Sequence, residues 1–166
     1  MKYILIIIMP LILFQEERSL NELLLEVNIC RVEQEAQTSS FIAIQLVGNI
    51  SLHNMSSDLI VLPKTFDLEI VVWDSDMRVL GRRKEIGSEY HNLIKSQTPI
   101  RIKSGEKVEI EFVEWRLFMY ELVPGNQYFI QYILPANWLA FKGDASSPNE
   151  IRSNTVSFKL QPFIAD

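Results

Sequence analysis

The sequence predicts an all-β fold, an immunoglobulin-like antiparallel β-sandwich of seven to eight strands. From about residue 22, apolar and polar residues alternate in short runs, which is the period of a strand with one buried face. Turn-forming residues separate the runs, and beyond residue 20 no helical period persists for three turns. Two sheets packed face to face would bury one side of every such strand.

Six runs alternate clearly, and two shorter runs complete the predicted sandwich. Gly48 interrupts the second run and suggests a bulge there. The inward members of the runs predict the core between the sheets. The runs are 23–30, 42–52, 66–73, 107–112, 127–134 and 155–160, with shorter strands at 59–62 and 100–103. The predicted core residues are Ile44, Leu46, Leu68, Ile70, Ile110, Phe112, Ile130, Tyr132, Val156 and Phe158.

Two of the predicted connections are long, Ser75–Thr98 and Pro135–Asn154. Long loops on compact domains are usually functional or mobile, and aromatic and arginine side chains dominate protein interfaces. Two alternatives stay open for the aromatic residues of the second loop: they anchor a partner, or they fold over the open end of the sandwich as a lid. The predicted partner-binding residues are Trp138, Phe141, Lys142, Arg82 and Arg83.

The first fourteen residues differ from the rest of the chain. A short positive start, Met1-Lys2, precedes the uncharged and mostly aliphatic stretch 3–14. This pattern is typical of a secretory signal peptide and is too short to span a membrane. We therefore expect a signal peptide or N-terminal anchor at 1–14, a single sandwich domain at 22–162, and an extracytoplasmic location, which means periplasmic, cell-surface or secreted. Membrane contact is expected only through the N-terminal segment, if it stays uncleaved.

Composition excludes several functional classes. The net charge is −5, and without residues 1–14 it is 15 basic against 21 acidic residues, or −6. An acidic surface does not attract phosphate backbones, so nucleic acid is disfavoured as a partner. The single cysteine, Cys30, excludes an intramolecular disulfide and a zinc site built on several thiolates. We expect Cys30 to behave as a small hydrophobe, the alternative being a reactive thiol.

Catalytic and metal-binding patterns are weak. His53 and His91 are both predicted to be solvated loop histidines with no short spacing to other metal ligands. Asp74 and Asp76 flank Ser75 after a strand, which turn formation explains better than calcium binding. Neither a glycine-rich phosphate loop nor a nucleophile elbow is present in the sequence. The sequence therefore predicts a non-enzyme without catalytic residues, metal or cofactor.

The most specific local pattern is a Pro-Gly turn followed by a strand with an early tyrosine. Pro124-Gly125 precedes Tyr128, whose hydroxyl can return to the backbone of the turn. This is the arrangement of the tyrosine corner in immunoglobulin-like sandwiches. Ile130 stands where antibody domains place a cysteine, so we expect a disulfide-free version.

The order of these motifs resembles a known bacterial family. The motifs are the strand and polar turn Ile50 to Asp58, then Phe66-Asp67-Leu68 leading to Trp73-Asp74, then Ile102-Lys103-Ser104-Gly105-Glu106 before a strand ending in Trp115, and Pro124-Gly125-x-x-Tyr128. Over about residues 40–160 the chain resembles the bacterial proteinase-inhibitor domain BsuPI. The final stretch Ile151 to Phe158 is similar to the closing strand of exported bacterial immunoglobulin-like domains, some of which are propeptides of secreted metallopeptidases.

The resemblance implies an immunoglobulin-like sandwich that binds another protein, with a peptidase as one candidate. The family's inhibitor is intracellular and its first long loop is shorter, and no inhibitory residue can be carried over. The first functional prediction is a non-catalytic exported protein-binding module, with a peptidase inhibitor or an accessory domain as candidate roles. The alternatives are a structural or adhesive envelope component and an enzyme without a recognisable motif.

Overall fold

A computed structural model describes residues 23–38, 41–83, 91–138 and 150–162. Within these ranges the chain forms eleven strand segments and two short 3-10 turns, Arg116–Met119 and Ala136–Trp138. None of the helical segments in these ranges is long and apolar enough to cross a membrane. The predicted signal segment 1–14 lies outside the described residues. The strands are β1 (Leu23–Thr38), β2 (Phe41–Asn54), β3 (Ile60–Leu62), β4 (Thr65–Asp67), β5 (Glu69–Trp73), β6 (Leu93–Lys95), β7 (Ile100–Ile102), β8 (Lys107–Glu114), β9 (Gln127–Pro135), β10 (Glu150–Arg152) and β11 (Val156–Lys159).

All the strand pairs are antiparallel, and the prediction of an all-β sandwich is confirmed. The first sheet has the order β1-β2-β8. In the second sheet β9 is central, with β5 on one side and β10 and β11 following each other on the other side. Two short pairs, β3–β7 and β4–β6, complete the described strands.

The core lies where the alternation places it. Nine of the ten predicted core residues are buried, and the tenth, Ile110, is half-buried and packs against the core. Ile70 and Val72 are buried while Val71 between them is partly exposed, so the register of β5 is the predicted one. A slip of one residue would have turned the whole set to the opposite face.

The third predicted run, 66–73, is not one strand. It divides at Leu68 into β4, which pairs with β6, and β5, which pairs with β9. Three successive residues, Phe66, Asp67 and Leu68, are buried. A regular strand turns successive side chains to opposite faces, so the chain changes direction here. Asp67, an outward residue in the predicted alternation, therefore points inward.

The two long connections are more regular than predicted. The first contains β6, and its early part forms a hairpin in which Val79 pairs with Trp73 and Leu80 N–H donates to Val72 O at 2.8 Å. The second contains the turn Ala136–Trp138 and β10, which pairs with the end of β9. Turn-forming residues are frequent in both stretches, so the sequence did not predict these short strands. They are stabilised by pairing with strands that are distant in the sequence.

The bulge predicted at Gly48 lies on the neighbouring strand β1, opposite Gly48. The register of β1 shifts between Ile29, which pairs with Gly48, and Arg31, so Cys30 is the extra residue. A Cβ on Gly48 would lie 2.2 Å from the carbonyl oxygen of Asn28. Only glycine allows the two backbones to approach so closely.

The predicted tyrosine corner is present. Tyr128 is buried, and its hydroxyl accepts a hydrogen bond from the N–H of Val123 at 2.6 Å. The side-chain amide of Asn154 likewise hydrogen-bonds to backbone groups and joins the edges of the two sheets. Val27 N–H donates to Asn154 Oδ1 at 2.7 Å, and Asn154 Nδ2 donates to Val27 O at 2.9 Å. These contacts satisfy backbone groups that the edge strand β1 would otherwise leave unpaired.

Candidate functional site

A chain of charged side chains runs from the core to the surface. Glu114, the last residue of β8, is fully buried and accepts hydrogen bonds from Arg116 Nε at 2.9 Å and Nη2 at 2.7 Å. Arg116 Nη1 also donates to Asp67 at 3.3 Å. The two-point contact with a carboxylate is the strong form of an arginine ion pair. The start of the 3-10 turn is thereby fastened to both β8 and β4.

Burial and charge shift the pKa of two groups around this chain. Burial alone would lower the pKa of Arg116, but the hydrogen bond and charge of Glu114, together with Asp67, outweigh it and raise that pKa. Burial and the charge of Glu114 hold the pKa of Tyr132 well above its ordinary value, against the opposing charge of Arg116. Among the described residues the Tyr132 hydroxyl has no hydrogen-bond partner. Arg116 therefore stays charged and Tyr132 stays neutral at neutral pH.

His91 forms the outer end of the charged chain. Its Nδ1 lies 2.7 Å from Oδ2 of Asp67, while its side chain is 61% exposed. A carboxylate that orients an imidazole in this way leaves Nε2 available as a base. No hydroxyl or thiol group of the described residues hydrogen-bonds to His91. His91, predicted to be solvated, is exposed but tied to the fold.

The outer side of the second sheet presents aromatic residues. Trp73, Phe129 and Ser157 are aligned across β5, β9 and β11, and all three are partly exposed. Two residues further along the strands, on the same side of the sheet, Val71 aligns with Gln131. We define the aromatic face as Val71, Trp73, Phe129, Gln131 and Ser157.

Exposed apolar residues extend the aromatic face beyond β5. Val79, which pairs with Trp73 on the side away from β9, is 66% exposed, and Met77 in the adjoining turn is also exposed. Contiguous exposed apolar patches rimmed by polar residues mark interaction sites in other proteins, which makes this face a candidate.

The outer side of the first sheet is polar along its central rows, and the pair Val47–Val113, with Val113 exposed, lies beyond them. Its central rows are Glu26–Ser51–Glu109 and Asn28–Asn49–Glu111, and Lys107 stands beside them. Lys107 Nζ lies 3.3 Å from Glu26 and 3.9 Å from Glu109, and Ser51 Oγ donates to Glu109 at 3.3 Å. We define the polar face as these seven residues. Its charged groups satisfy one another or face water, as on an ordinary solvated surface.

The structure places the predicted binding residues in different surroundings. Arg82 is exposed and forms an isolated backbone β-bridge with Tyr120. The Arg83 Nε–H donates to the carbonyl of Tyr120 at 3.2 Å and so holds this loop against the turn before Tyr120. Trp138 is half-buried and packs against the core, the position expected of a lid. Phe141 and Lys142 lie outside the described residues. Whether the five predicted residues form one surface is therefore still a prediction, as is a contact between Trp138 and a partner.

Other polar candidates have structural partners. Asp74 accepts hydrogen bonds from the N–H groups of Asp76 and Arg78, both at 2.9 Å, so the aspartate shapes its turn as predicted. Within the described ranges no three His, Cys, Asp or Glu residues are placed to hold a metal ion. Asn54, the start of an Asn-x-Ser pattern, is buried and donates to the carbonyls of Asp58 and Ile102, so the folded chain offers no glycan acceptor there. Cys30, expected to behave as a small hydrophobe, is exposed, because the core position belongs to Ile29.

Residue patterns in the sequence could have indicated both the buried carboxylate of Glu114 and the aromatic face. Glu114 continues the inward series of Ile110 and Phe112, so the parity of β8 alone places a carboxylate in the core. Trp73 and Phe129 stand at outward positions of their runs, where water favours polar residues. The pairing of β5 with β9, which brings these two aromatics side by side, depends on the fold.

Comparisons with known proteins add little to this geometry. No family model matches the chain, and no curated protein matches it. Among solved structures the chain is similar to an X-ray structure of a Northeast Structural Genomics Consortium target, at 12% identity over 84% of this chain and 88% of that one, with a TM-score of 0.40.

Proposed function

We propose that the chain is a non-catalytic, exported protein-binding module that binds its partner through the aromatic face. The observation that supports this proposal most is the alignment of Trp73 and Phe129 on the outer side of the second sheet. Tryptophan and other aromatics supply most of the binding energy at protein interfaces, because they bury a large area at a small entropic cost. Export is supported by the apolar segment 1–14 of the sequence.

The surroundings of the aromatic residues favour binding over a role in folding. Core residues of β5 and β9, such as Val72 and Ile130, point to the opposite side of the sheet and are fully buried. Trp73 and Phe129 point to the outer side, are partly exposed and therefore add little to this core. Gln131, whose Nε2 donates to Ser153 O at 2.8 Å, supplies a fixed polar neighbour for the aromatics.

A retention experiment tests the proposal. The full chain is immobilised and exposed to the secreted and envelope proteins of its source cells, in parallel with Trp73→Ala and with Glu111→Ala, a control on the polar face. We expect a protein that the wild type and Glu111→Ala retain and that Trp73→Ala loses, because removing an interface anchor costs about 2 kcal/mol or more. If no retained protein, copies of the chain itself included, depends on Trp73, the proposal is wrong.

A further inference from the structure

We propose that the partner of the aromatic face is a second copy of this chain, related to the first by a two-fold axis that runs along β9. This inference rests on the proposed function, since it identifies the partner of the same surface. Two copies would pack their second sheets face to face, as sheets do inside a sandwich. The contact would be isologous, with the same patch used by both copies.

The sizes of the aligned side chains favour this axis. The row Trp73–Phe129–Ser157 has its largest side chain on β5 and its smallest on β11. A two-fold axis along β9 exchanges the β5 side with the β11 side, so each Trp73 lies over the Ser157 of the other copy. The two Phe129 side chains meet near the axis. Large residues over small ones are what two faces need to interdigitate.

The alternative two-fold axis across the strands fits less well. It would place Trp73 on Trp73 and Ser157 on Ser157, which crowds one side of the contact and leaves a gap on the other. Both overpacking and voids are unfavourable. The shape of the row therefore distinguishes between the two possible dimers.

Charge favours the same axis. Glu69 and Arg152, whose guanidinium also pairs with Glu150, flank the buried Ile133 from opposite sides, so the axis along β9 places Glu69 of each copy over Arg152 of the other. The β5 hairpin carries a net charge of −2, and the β10–β11 side carries +1. The hairpin residues counted are Glu69, Asp74 and Asp76 against Arg78, and those on the other side are Arg152 and Lys159 against Glu150. Opposite charges thus face each other across the contact.

The size of the face predicts a weak dimer. Strands lie about 4.8 Å apart and rise about 3.3 Å per residue, so three strands of five residues cover a patch of roughly 14 by 17 Å. A standard stable interface buries about 800 Å² on each partner, which is more than such a patch supplies. The dimer should therefore form reversibly and depend on concentration.

Sedimentation velocity of the full chain over a series of concentrations tests the dimer. We expect the wild type to shift from monomer to dimer as concentration rises. Trp73→Ala should raise the dimer dissociation constant at least about tenfold. Ser157→Arg should abolish the dimer by filling the space that Trp73 of the other copy needs. Val113→Ala, which trims an exposed residue on the other sheet, should leave it unchanged. A circular-dichroism melt confirms that each variant is folded.

A charge exchange tests the orientation of the axis. Glu69→Arg alone and Arg152→Glu alone should each weaken the dimer, and the double variant should recover it. Failure of the double variant to recover the dimer overturns the axis along β9. Association that persists in Trp73→Ala and Ser157→Arg overturns the dimer through this face.

The proposed function and the dimer can fail separately. If the wild type stays monomeric at every concentration while another protein is retained in a Trp73-dependent way, the dimer is wrong and the proposed function stands. If the wild type is monomeric and no retained protein depends on Trp73, both are wrong.

Discussion

The two outer faces of the sandwich are built by the same strand alternation but carry different chemistry. On the polar face, Lys107 lies between Glu26 and Glu109, and serine and asparagine fill the central strand. On the aromatic face, the central strand carries Phe129, with Trp73 beside it. A strand needs only one buried side, so its outward residues are free to serve other purposes. The proposed function assigns partner binding to the aromatic face and none to the polar face.

The stability of the molecule depends on residues that belong to neither face. Glu114 and Glu111 lie on the same strand, but Glu114 points into the core and Glu111 into water. Glu114→Ala would leave Arg116 buried with only Asp67 as its ionic partner. We expect a loss of about 3–5 kcal/mol in the free energy of unfolding, measured by chemical denaturation.

Glu111→Ala is the matched control for that change. Its carboxylate is solvated, so the free energy of unfolding should change by less than about 0.5 kcal/mol. Equal losses for the two variants would show that the polar face is part of the stabilising structure, and the comparison of the faces would fail.

The close approach at Gly48 should produce the next largest effect. Gly48→Ala would place a methyl group 2.2 Å from the Asn28 carbonyl oxygen, and the central strand of the polar face would have to move. We expect a loss of about 1–3 kcal/mol in the free energy of unfolding, as for other overpacked sites.

Gly81→Ala is the control for Gly48, because a Cβ there has no atom within 4 Å. Its free energy of unfolding should stay the same or rise by up to about 1 kcal/mol, since alanine restricts the unfolded chain. Thermal melts of the two variants side by side would show whether the bulge is required. A Gly48→Ala variant as stable as Gly81→Ala would contradict the close packing of β1 on β2.

The smallest expected effect concerns pH. The folded state raises the pKa of Tyr132, so the unfolded chain loses the tyrosine proton first as pH rises above about 10. The contribution of Tyr132 to stability is therefore complete below that pH and falls above it. The free energy of unfolding of Tyr132→Phe should therefore fall less steeply with pH than that of the wild type, as measured by urea denaturation from pH 8 to 11.

At neutral pH the same variant should be as stable as the wild type or slightly more stable. The Tyr132 hydroxyl has no partner among the described residues, so its removal breaks no hydrogen bond there. A large loss of stability at pH 7 in Tyr132→Phe would show that the hydroxyl is bonded after all.

The sequence predicted the fold better than it predicted the candidate site. Period-two alternation located the long strands and the core, because burial of one face imposes that period on the residues themselves. Short strands such as Leu93–Lys95 carry too few residues to show a period, and their pairing with β4 depends on the fold. Leu68, where the chain leaves one sheet for another, looks in the sequence like any inward residue of a strand.

The site depends on which strands become neighbours. Trp73 and Phe129 are 56 positions apart in the sequence and adjacent in the sheet, and no local pattern predicts that pairing. The sequence instead predicted partner-binding residues in the long loops, which contain arginine and tryptophan. The hydrogen bond from Arg83 to Tyr120 O and the packing of Trp138 on the core show that such residues also fasten loops to the fold.

Photo-crosslinking in the source cells tests the central claim most directly. A photoreactive phenylalanine analogue is placed at Phe129 in one variant and at Asn49 in another, since each residue lies on the central strand of its own sheet. We predict a discrete crosslinked protein product, a second copy or another protein, from position 129 and none from position 49. Products of equal yield from both positions, or from neither, would contradict the assignment of binding to the aromatic face.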